Sequence, residues 1–517
     1  MKRVLTWLDT RRLAVAILFV AVFAMAVRAP ADTDTWWHLQ AGRVTLESGQ
    51  ILQTDLFSHT RYGSPWVNHS WLSQVILYWL FDHFSYAGLG LWMGAVVTLA
   101  FAFVYLQMEG DPFTRAFIVV LAAVTSAVIW VARPQLLSFL LTAVVAYILY
   151  LFKWRGVNRL WLLPPLFVLW VNLHAGYALG FMLLAAFVAG EVFNHLLQLV
   201  LPPNGGDSGG EGGGGDPVAG WRGIGLVVVV AVLSALLLVV NPNTTRMWTY
   251  YLETVQVGVL QDFIQEWQSP NFHPLYAQPF LWLLLATLAA VGLSGRRVDG
   301  TDLAMVGGFA YAALLAGRNF GPFALVTAPV LSRHVAAFLR RCGRGTRGQG
   351  DILTVFPAPL LLRPSAWRGA VNLGLLTLVV GLAVVKVWTP LSPAFNEQRQ
   401  RESLPVDAAA WIRQHRPAGE IYNPYNWGGY LIWALWPDYR VFVDGRTDLY
   451  GDEFLRQYLE VQLARPGFER TLADQDVNLI LTYPDDTLSA QLACVGGWEE
   501  VYRDGVATVW GREGMGR

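Results

Sequence analysis

Long apolar stretches, separated by short polar loops, occupy most of the first 388 residues of this 517-residue chain. A helix that crosses the roughly 30 Å hydrocarbon core of a bilayer needs about 20 apolar residues. We therefore predict a polytopic α-helical membrane protein with about eleven transmembrane helices. The predicted spans are residues 13–29, 87–107, 115–131, 135–152, 160–175, 177–200, 223–240, 279–294, 301–317, 320–339 and 369–388.

The stretch 71–84 lies just before a predicted span but differs from the spans in length and polarity. It has 14 residues, carries Asp82 and His83, and has a face rich in Trp and Tyr. These features are typical of a helix that lies in the membrane interface and does not cross.

Basic residues decide the orientation, because Lys and Arg are enriched in cytoplasmic loops. If 71–84 does not cross, the cytoplasmic loops hold seventeen Lys and Arg residues and the outer loops six, leaving out Arg333 and the C-terminal tail. If 71–84 crosses, these counts become seven and sixteen. The first arrangement places the N-terminus in the cytoplasm and residues 389–517 outside the cytoplasmic (inner) membrane. Ala29-Pro30-Ala31 also resembles a signal-peptide cleavage site, but ten further spans need an orienting first helix.

These patterns divide the chain into a transmembrane domain, 1–388, and an extracytoplasmic domain, 389–517. Within the first, residues 30–86 form the first outer loop with its interfacial helices, and the Gly-rich segment 204–216 is a flexible cytoplasmic linker. The tail alternates helical and strand patterns, which predicts an α/β domain with a mostly parallel sheet. We expect helices at 405–416 and 452–463, strands at 419–423, 440–445 and 477–483, and a hairpin at 499–511.

Composition narrows the function classes. Charged residues make up 14% of the chain and apolar residues 54%, whereas soluble domains average about 25% charged residues. An ordinary cytosolic enzyme and a disordered protein are therefore excluded. Lys+Arg and Asp+Glu both number 37, so nothing indicates a nucleic-acid partner. Two cysteines exclude a disulfide scaffold and a Cys-rich metal site.

The first outer loop carries the strongest chemical signal, the acidic pair Asp32 and Asp34 in PADTDTWWHL. Their oxygens suit Mg²⁺ or Mn²⁺, and such an ion beside the membrane would neutralise a departing lipid phosphate. One of these carboxylates is also a candidate to take a proton from an attacking hydroxyl. The alternative is structural, since either Asp could cap the helix that Trp36 begins.

Other polar residues end spans or lie in loops on the same predicted outer face, which favours a site built from several loops. Arg133 and Arg318 are candidates for a lipid phosphate, because a guanidinium pairs with phosphate oxygens. Glu266 is a candidate to complete the metal shell or orient an acceptor, and His174 could take either role. The alternative for each is a polar helix end that faces water.

The tail contains two further candidate patches. Gly428 and Gly429 follow Trp427 and precede Tyr430, and glycines permit close approach or positive φ. Asp444-Gly445-Arg446 follows a predicted strand, where α/β sheets form ligand crevices. We expect Trp427, Tyr430, Asp444 and Arg446 to bind the acceptor. The alternative for the last two is a tight turn with a capping Asp and a paired Arg.

An acidic motif outside the first span, two interfacial helices and many short-looped spans resemble the GT-C glycosyltransferase superfamily. That superfamily includes the protein O-mannosyltransferases, the lipid A aminoarabinose transferases and the catalytic subunit of oligosaccharyltransferase. The stretch 425–432, YNWGGYLI, is similar to the oligosaccharyltransferase stretch with a Trp-Trp-Asp-Tyr-Gly motif. The acidic residue of that motif is missing at 427–429, which argues against asparagine glycosylation.

The resemblance implies transfer of a sugar from a polyprenyl-phosphate donor in the membrane to an extracytoplasmic glycan, lipid or protein acceptor, with inversion and metal assistance. Three alternatives stay open: a transporter or flippase of lipid-linked glycans, a metal-independent glycan ligase, and a structural membrane component. Transporters usually place charges near the middle of the membrane and show inverted repeats, and neither is evident here. Metal titration would distinguish the metal-independent ligase from a metal-assisted glycosyltransferase. Tolerance of alanine at the acidic residues would distinguish a structural component from an enzyme.

Overall fold

The computed structural model describes residues 7–200, 219–259, 264–345 and 366–514. The predicted linker at 204–216 lies outside the described residues. Each of the eleven predicted spans falls on a helix. The helices of this part are α1 Thr10–Ala26, α2 Asp34–Ser48, α3 Trp71–Leu106, α4 Pro112–Ser126, α5 Gln135–Trp154, α6 Leu163–Leu173, α7 Tyr177–Val200, α8 Trp221–Leu236, α9 Tyr250–Val255, α10 Gln278–Ser294, α11 Gly300–Leu315, α12 Phe320–Gly345 and α13 Ala366–Leu391.

Seven helices in the described part of the chain are long and apolar enough to cross a membrane. They are α3, α4, α5, α7, α8, α12 and α13, counted with the short 3₁₀ turns that adjoin α4, α8 and α12. The protein is therefore an integral membrane protein, and a count of eleven crossings stays a prediction.

Helix α3 is broken at Ser85, which has φ 52° and ψ −146°. The break separates residues 71–84 from the predicted span, as the sequence pattern suggested. Fourteen helical residues are about 21 Å long, shorter than the hydrocarbon core. This first part of α3 packs closely on α2, since a Cβ at Gly42 would lie 2.1 Å from the Gln74 carbonyl oxygen.

A second, unexpected feature of the helical part is a group of buried ion pairs. The Lys153 ammonium contacts the carboxylates of Glu191 and Asp299, with 2.6 Å to Asp299 Oδ1. Arg333 pairs with Asp302 in the same way. These groups lie on or next to α5, α7, α11 and α12. The helical part of the protein therefore contains buried charged side chains, and these are paired with each other.

The tail forms a small α/β unit with a four-stranded sheet. Its elements are α14 Pro393–Arg401, α15 Val406–His415, β1 Glu420–Tyr422, α16 Tyr425–Leu435, α17 Thr447–Gln462, α18 Phe468–Asp474, β2 Val477–Thr482, α19 Thr487–Leu492, β3 Trp498–Arg503 and β4 Thr508–Arg512. The strand order is β1-β2-β4-β3. Only β1 and β2 are parallel, whereas β4 is antiparallel to both β2 and β3. The predicted mostly parallel sheet is wrong, because the short β3–β4 turn makes an antiparallel pair.

The segment 440–445 was expected to be a strand of this sheet, and that prediction is also wrong. Its backbone pairs instead with the first outer loop: Val441 N donates to Phe57 O (3.0 Å) and His59 N donates to Val441 O (3.0 Å). The Thr60 hydroxyl donates to Phe442 O at 2.7 Å. Its apolar residues are buried as predicted, but the backbone partner is a loop from the start of the chain.

A buried ion network strengthens this junction. The Arg446 guanidinium bonds both oxygens of Asp444 (2.8 and 2.7 Å) and Asp55 Oδ1 (2.6 Å). The Tyr450 hydroxyl donates to Asp444 Oδ2 at 2.7 Å. Burial alone would raise the pKa of Asp55, but Arg446 and the Ser58 hydroxyl hold it below its usual value. The tight turn with a paired Arg is thus the observed arrangement, and removing one partner from such a network costs about 3–5 kcal/mol.

Helix α16 lies against both the outer loop and the 440–445 segment, and its glycines make this possible. A Cβ at Gly428 would lie 2.1 Å from the Val443 carbonyl oxygen, and one at Gly429 would lie 2.4 Å from that of Thr33. Close approach, not positive φ, explains this pair.

We expect Gly428→Ala to lower the midpoint of thermal unfolding, because overpacking of this kind costs about 1–3 kcal/mol. Gly307→Ala on α11 is the matched control, since a Cβ there meets open space. Differential scanning fluorimetry of the detergent-purified protein measures both. An unchanged midpoint for Gly428→Ala would contradict the close packing.

Candidate active site

A cavity of about 830 Å³ lies where the tail meets the ends of several helices. Its wall comes from the start of α2, the turn before α5, the end of α6, the segment around α9, residues 264–267, the turn before α12 and the tail. The sequence-predicted residues that line it are Asp32, Asp34, Arg133, His174, Glu266, Arg318 and Arg446.

Three carboxylates meet at the Arg133 guanidinium in this cavity. Nη1 lies 3.4 Å from Asp32 Oδ2 and 3.6 Å from Glu266 Oε2, and Nη2 lies 3.2 Å from Asp34 Oδ2. Arg318 Nη1 is 3.9 Å from Glu266 Oε1, and its guanidinium lies over the Trp267 ring at 4.1 Å. Residues scattered from position 32 to position 318 are therefore brought together, as the predicted topology required.

The two aspartates of the acidic pair make different contacts. Asp32 Oδ1 accepts a hydrogen bond from Asp34 N at 2.9 Å, which helps to begin α2, while Oδ2 faces Arg133. The N-cap residue itself is Thr33, whose side chain makes no capping bond. The capping alternative thus holds in part for Asp32, whereas Asp34 directs its carboxylate to Arg133 and the cavity.

The electrostatics of the cluster follow from burial and from the shared guanidinium. Burial, with the nearby charges of Asp32 and Glu266, raises the pKa of Asp34 to about 6, although Arg133 opposes this. Burial also acts to raise the pKa of Glu266, but Arg133 and Arg318 together lower it. The three carboxylates raise the pKa of Arg133 above its ordinary value against the effect of burial.

Gly445 closes the cavity over Asp34, and sequence analysis assigned it no role beyond the turn. A Cβ at Gly445 would lie 1.9 Å from Asp34 Oδ1. The ion network of Asp444 and Arg446 fixes this backbone, so the tail holds Gly445 directly against Asp34.

The imidazole of His174 is held in one tautomer. Its Nδ1 accepts hydrogen bonds from Gly176 N (3.0 Å) and from the Ser138 hydroxyl (2.8 Å). Ser138 in turn accepts a bond from Trp170 Nε1 at 2.8 Å. The proton of the neutral ring is therefore on Nε2, so His174 can offer a single N–H donor.

Two further histidines line the cavity and were not among the predicted site residues. His69 Nδ1 is 2.7 Å from the Tyr250 hydroxyl, which donates to Asp448 Oδ2 at 3.0 Å. His38 Nδ1 lies 3.4 Å from Gln74 Nε2. Burial lowers the pKa of His38, His69 and His174.

No family model matches the sequence, and no curated protein sequence matches it. The archaeal oligosaccharyltransferase AglB from Archaeoglobus fulgidus, solved with an inhibitory peptide and a dolichol-phosphate, superposes with a TM-score of 0.57 and 12% identity, covering 97% of this chain and 74% of AglB. The same enzyme in complex with Zn and sulfate gives 0.52 and 13%, covering 97% and 73%.

The chain has the GT-C fold, which it shares with these oligosaccharyltransferase structures. This confirms the resemblance at the level of the fold. ArnT from Cupriavidus metallidurans in the apo state is also similar, with a TM-score of 0.48 and 15% identity over 96% of this chain and 97% of ArnT.

Within this GT-C fold, the predicted acceptor residues do not gather at the cavity. Trp427, Tyr430 and Asp444 are buried and absent from its wall, and only Arg446 reaches it. Trp427 packs on Tyr483 with ring centroids 4.3 Å apart. The tail lines the cavity instead with Tyr425, Asn426, Tyr458, Gln462 and Tyr483. Part of this wall could have been predicted from the sequence, because Tyr458 and Gln462 are spaced i, i+4 and therefore share one face of a helix.

The expected metal ligands Asp32, Asp34 and Glu266 do not fit a divalent ion in this arrangement. Mg²⁺ or Mn²⁺ would need the oxygens of Asp32, Asp34 and Glu266 around itself, but these oxygens surround the Arg133 guanidinium. Among the residues that the structure describes, no group of three or more His, Cys, Asp or Glu side chains is placed to hold a metal ion.

The neutral histidines predict a pH-dependent stability. The unfolded chain binds protons at His38, His69 and His174 below about pH 6.5, whereas burial lowers the pKa of these rings in the folded chain. Stability therefore falls as the pH drops from 7 to 5, by up to about 1.4 kcal/mol per pH unit for each of the three. Asp34, with a pKa of about 6, opposes this with one proton.

Thermal unfolding at several pH values measures this slope. His38→Gln should flatten it by removing one of these three histidines. A slope of opposite sign would contradict the neutral state of these rings.

Proposed function

We propose that this protein is a membrane glycosyltransferase that moves a sugar from a polyprenyl-phosphate donor to an extracytoplasmic acceptor. The observation that carries the proposal is the convergence of three carboxylates and two arginines on one cavity of a GT-C fold. Carboxylates suit proton transfer and guanidinium groups suit phosphate, so the two chemistries that the reaction needs lie side by side.

The donor phosphate is assigned to Arg318 and His174. Among the described residues, the Arg318 guanidinium contacts Glu266 at 3.9 Å and lies over the Trp267 ring, which leaves N–H groups that can bind phosphate oxygens. His174 adds the Nε2–H donor described above. One AglB structure contains a dolichol-phosphate, and we extend that class of lipid to this chain. The lipid enters from the membrane between helices.

Asp34 is assigned the role of base. The acceptor hydroxyl oxygen forms a bond to the anomeric carbon, the bond from that carbon to the phosphate oxygen breaks, and polyprenyl phosphate leaves with the electron pair. The hydroxyl proton goes to Asp34, and attack from the face opposite the phosphate inverts the anomeric carbon. A pKa of about 6 leaves Asp34 ionised at neutral pH while keeping it basic enough to accept a proton.

The acceptor is assigned to the tail side of the cavity. The phenol rings of Tyr425, Tyr458 and Tyr483 and the amides of Asn426 and Gln462 line this wall. Aromatic faces with a few amide groups are typical of pockets for neutral polar ligands, so a sugar hydroxyl of a glycan or glycolipid fits this wall better than a charged group. Arg446 reaches the edge of the wall from its buried network.

Asp34→Asn should abolish transfer without unfolding the protein, because the amide cannot accept the proton. Cells that lack the protein are compared with wild type by mass spectrometry of surface glycans and lipids, which identifies the missing product. Asp34→Asn should fail to restore that product, whereas Asp82→Asn, exposed on α3, should restore it. Full restoration of the product by a normally expressed Asp34→Asn protein would contradict the proposal.

Gly445→Ala should lower transfer by about 100-fold, because a displacement of about 1 Å at a reacting group has an effect of this size. The added methyl group would collide with Asp34 Oδ1. Gly505→Ala, in the open turn of the β3–β4 hairpin, is the matched control. The same complementation assay, with protein levels equalised, measures both, and equal activity would show that the tail does not position Asp34.

A further inference from the structure

The geometry points to Arg133 as a built-in cation that takes the place of a divalent ion among Asp32, Asp34 and Glu266, so that this cluster binds no Mg²⁺ or Mn²⁺. That this cluster binds no divalent ion is independent of the proposed function. The consequence, metal-independent sugar transfer, rests on the proposed function.

The first support is the position of the guanidinium. The three carboxylates come from the turn before α2, from its first residue and from the segment 264–267, yet all three lie within 3.6 Å of Arg133. Oxygens that meet from separate parts of the chain ordinarily meet on a cation. Here the planar guanidinium, with donors on two nitrogens, fills that space.

The second support is charge. Three ionised carboxylates in one cavity repel each other unless a cation lies between them. Arg133 supplies a positive charge that no physiological pH removes, and Arg318 supplies a second one beside Glu266. A divalent ion bound at about 2 Å from the same oxygens would lie against the guanidinium, so its entry requires Arg133 to leave.

The backbone also holds Arg133 in place. Arg133 N donates to Val131 O at 2.8 Å, and Leu136 N donates to Arg133 O at 3.1 Å, which fixes the turn into α5. The side chain reaches the cluster from a rigid helix start and not from a long loop.

The arrangement also agrees with the role assigned to Asp34. A carboxylate that ligates a divalent ion is a poor base, because the ion competes with the proton. Paired with a guanidinium, Asp34 keeps an oxygen able to receive the acceptor proton.

The test is a Mn²⁺ titration of the full-length protein in detergent, freed of metal by EDTA and followed by the electron paramagnetic resonance of free Mn²⁺. Wild type and Arg43→Gln, an exposed arginine paired with Glu47 on α2, should show no saturable site. Arg133→Gln should gain one saturable Mn²⁺ site per chain that is absent from wild type over the same range of Mn²⁺ concentration. Arg133→Gln combined with Asp34→Asn should lose that site.

Two results would overturn the inference. One is a stoichiometric Mn²⁺ site in wild type that disappears in Asp34→Asn, a measurement that does not depend on the folding of any Arg133 variant. The other is a folded Arg133→Gln protein with no gain in Mn²⁺ affinity. The Mn²⁺ titration does not depend on product formation in cells. Failure of the proposed function can therefore be distinguished from failure of the assignment of Arg133 as the cation. If transfer is established, its rate in EDTA should equal the rate with added Mg²⁺.

Discussion

The buried contact of Arg446 with Asp55 and Asp444 is the constraint on which the rest of the arrangement depends. It joins residues 391 positions apart in the sequence, and the backbone pairing of Val441 with the first outer loop runs beside it. A charge buried at this junction is stable only while its partners stay in place. The tail is therefore not an appended domain with its own separate surface, because its central segment completes the outer loop.

This junction determines the shape of the candidate site. Gly445 lies between Asp444 and Arg446, so fixing the two charged neighbours also fixes the glycine against Asp34. The turn before α5 carries Arg133, and the segment 264–267 carries Glu266. The start of α2, this turn and this segment thus meet at a single guanidinium, and tyrosines of the tail line the same cavity.

Much of this was predictable from local patterns, and the exceptions have physical reasons. Apolar stretches identified the helices because burial in lipid or in a bundle needs continuous apolar sequence. The asymmetry of Lys and Arg placed Asp34, Arg133, Glu266 and Arg318 on one face before any contact was known. Pairing across long sequence distances was not predictable: the 440–445 segment has a strand pattern, but its backbone partner is a loop. The ion pairs of Lys153 with Glu191 and Asp299 were not predicted for the same reason, because the sequence does not show which opposite charge a buried charge will contact.

The backbone pairing of residues 57–60 with 441–442 has a consequence for biosynthesis. Ribosomes deliver the outer loop early and its partner segment only after several hundred further residues have been translated. Until then the first loop lacks its two main-chain hydrogen bonds to Val441, and Asp34 lacks the glycine that covers it. A nascent chain consequently carries the acidic pair without a finished pocket, and the pocket is completed only when the last quarter of the polypeptide docks on residues 57–60.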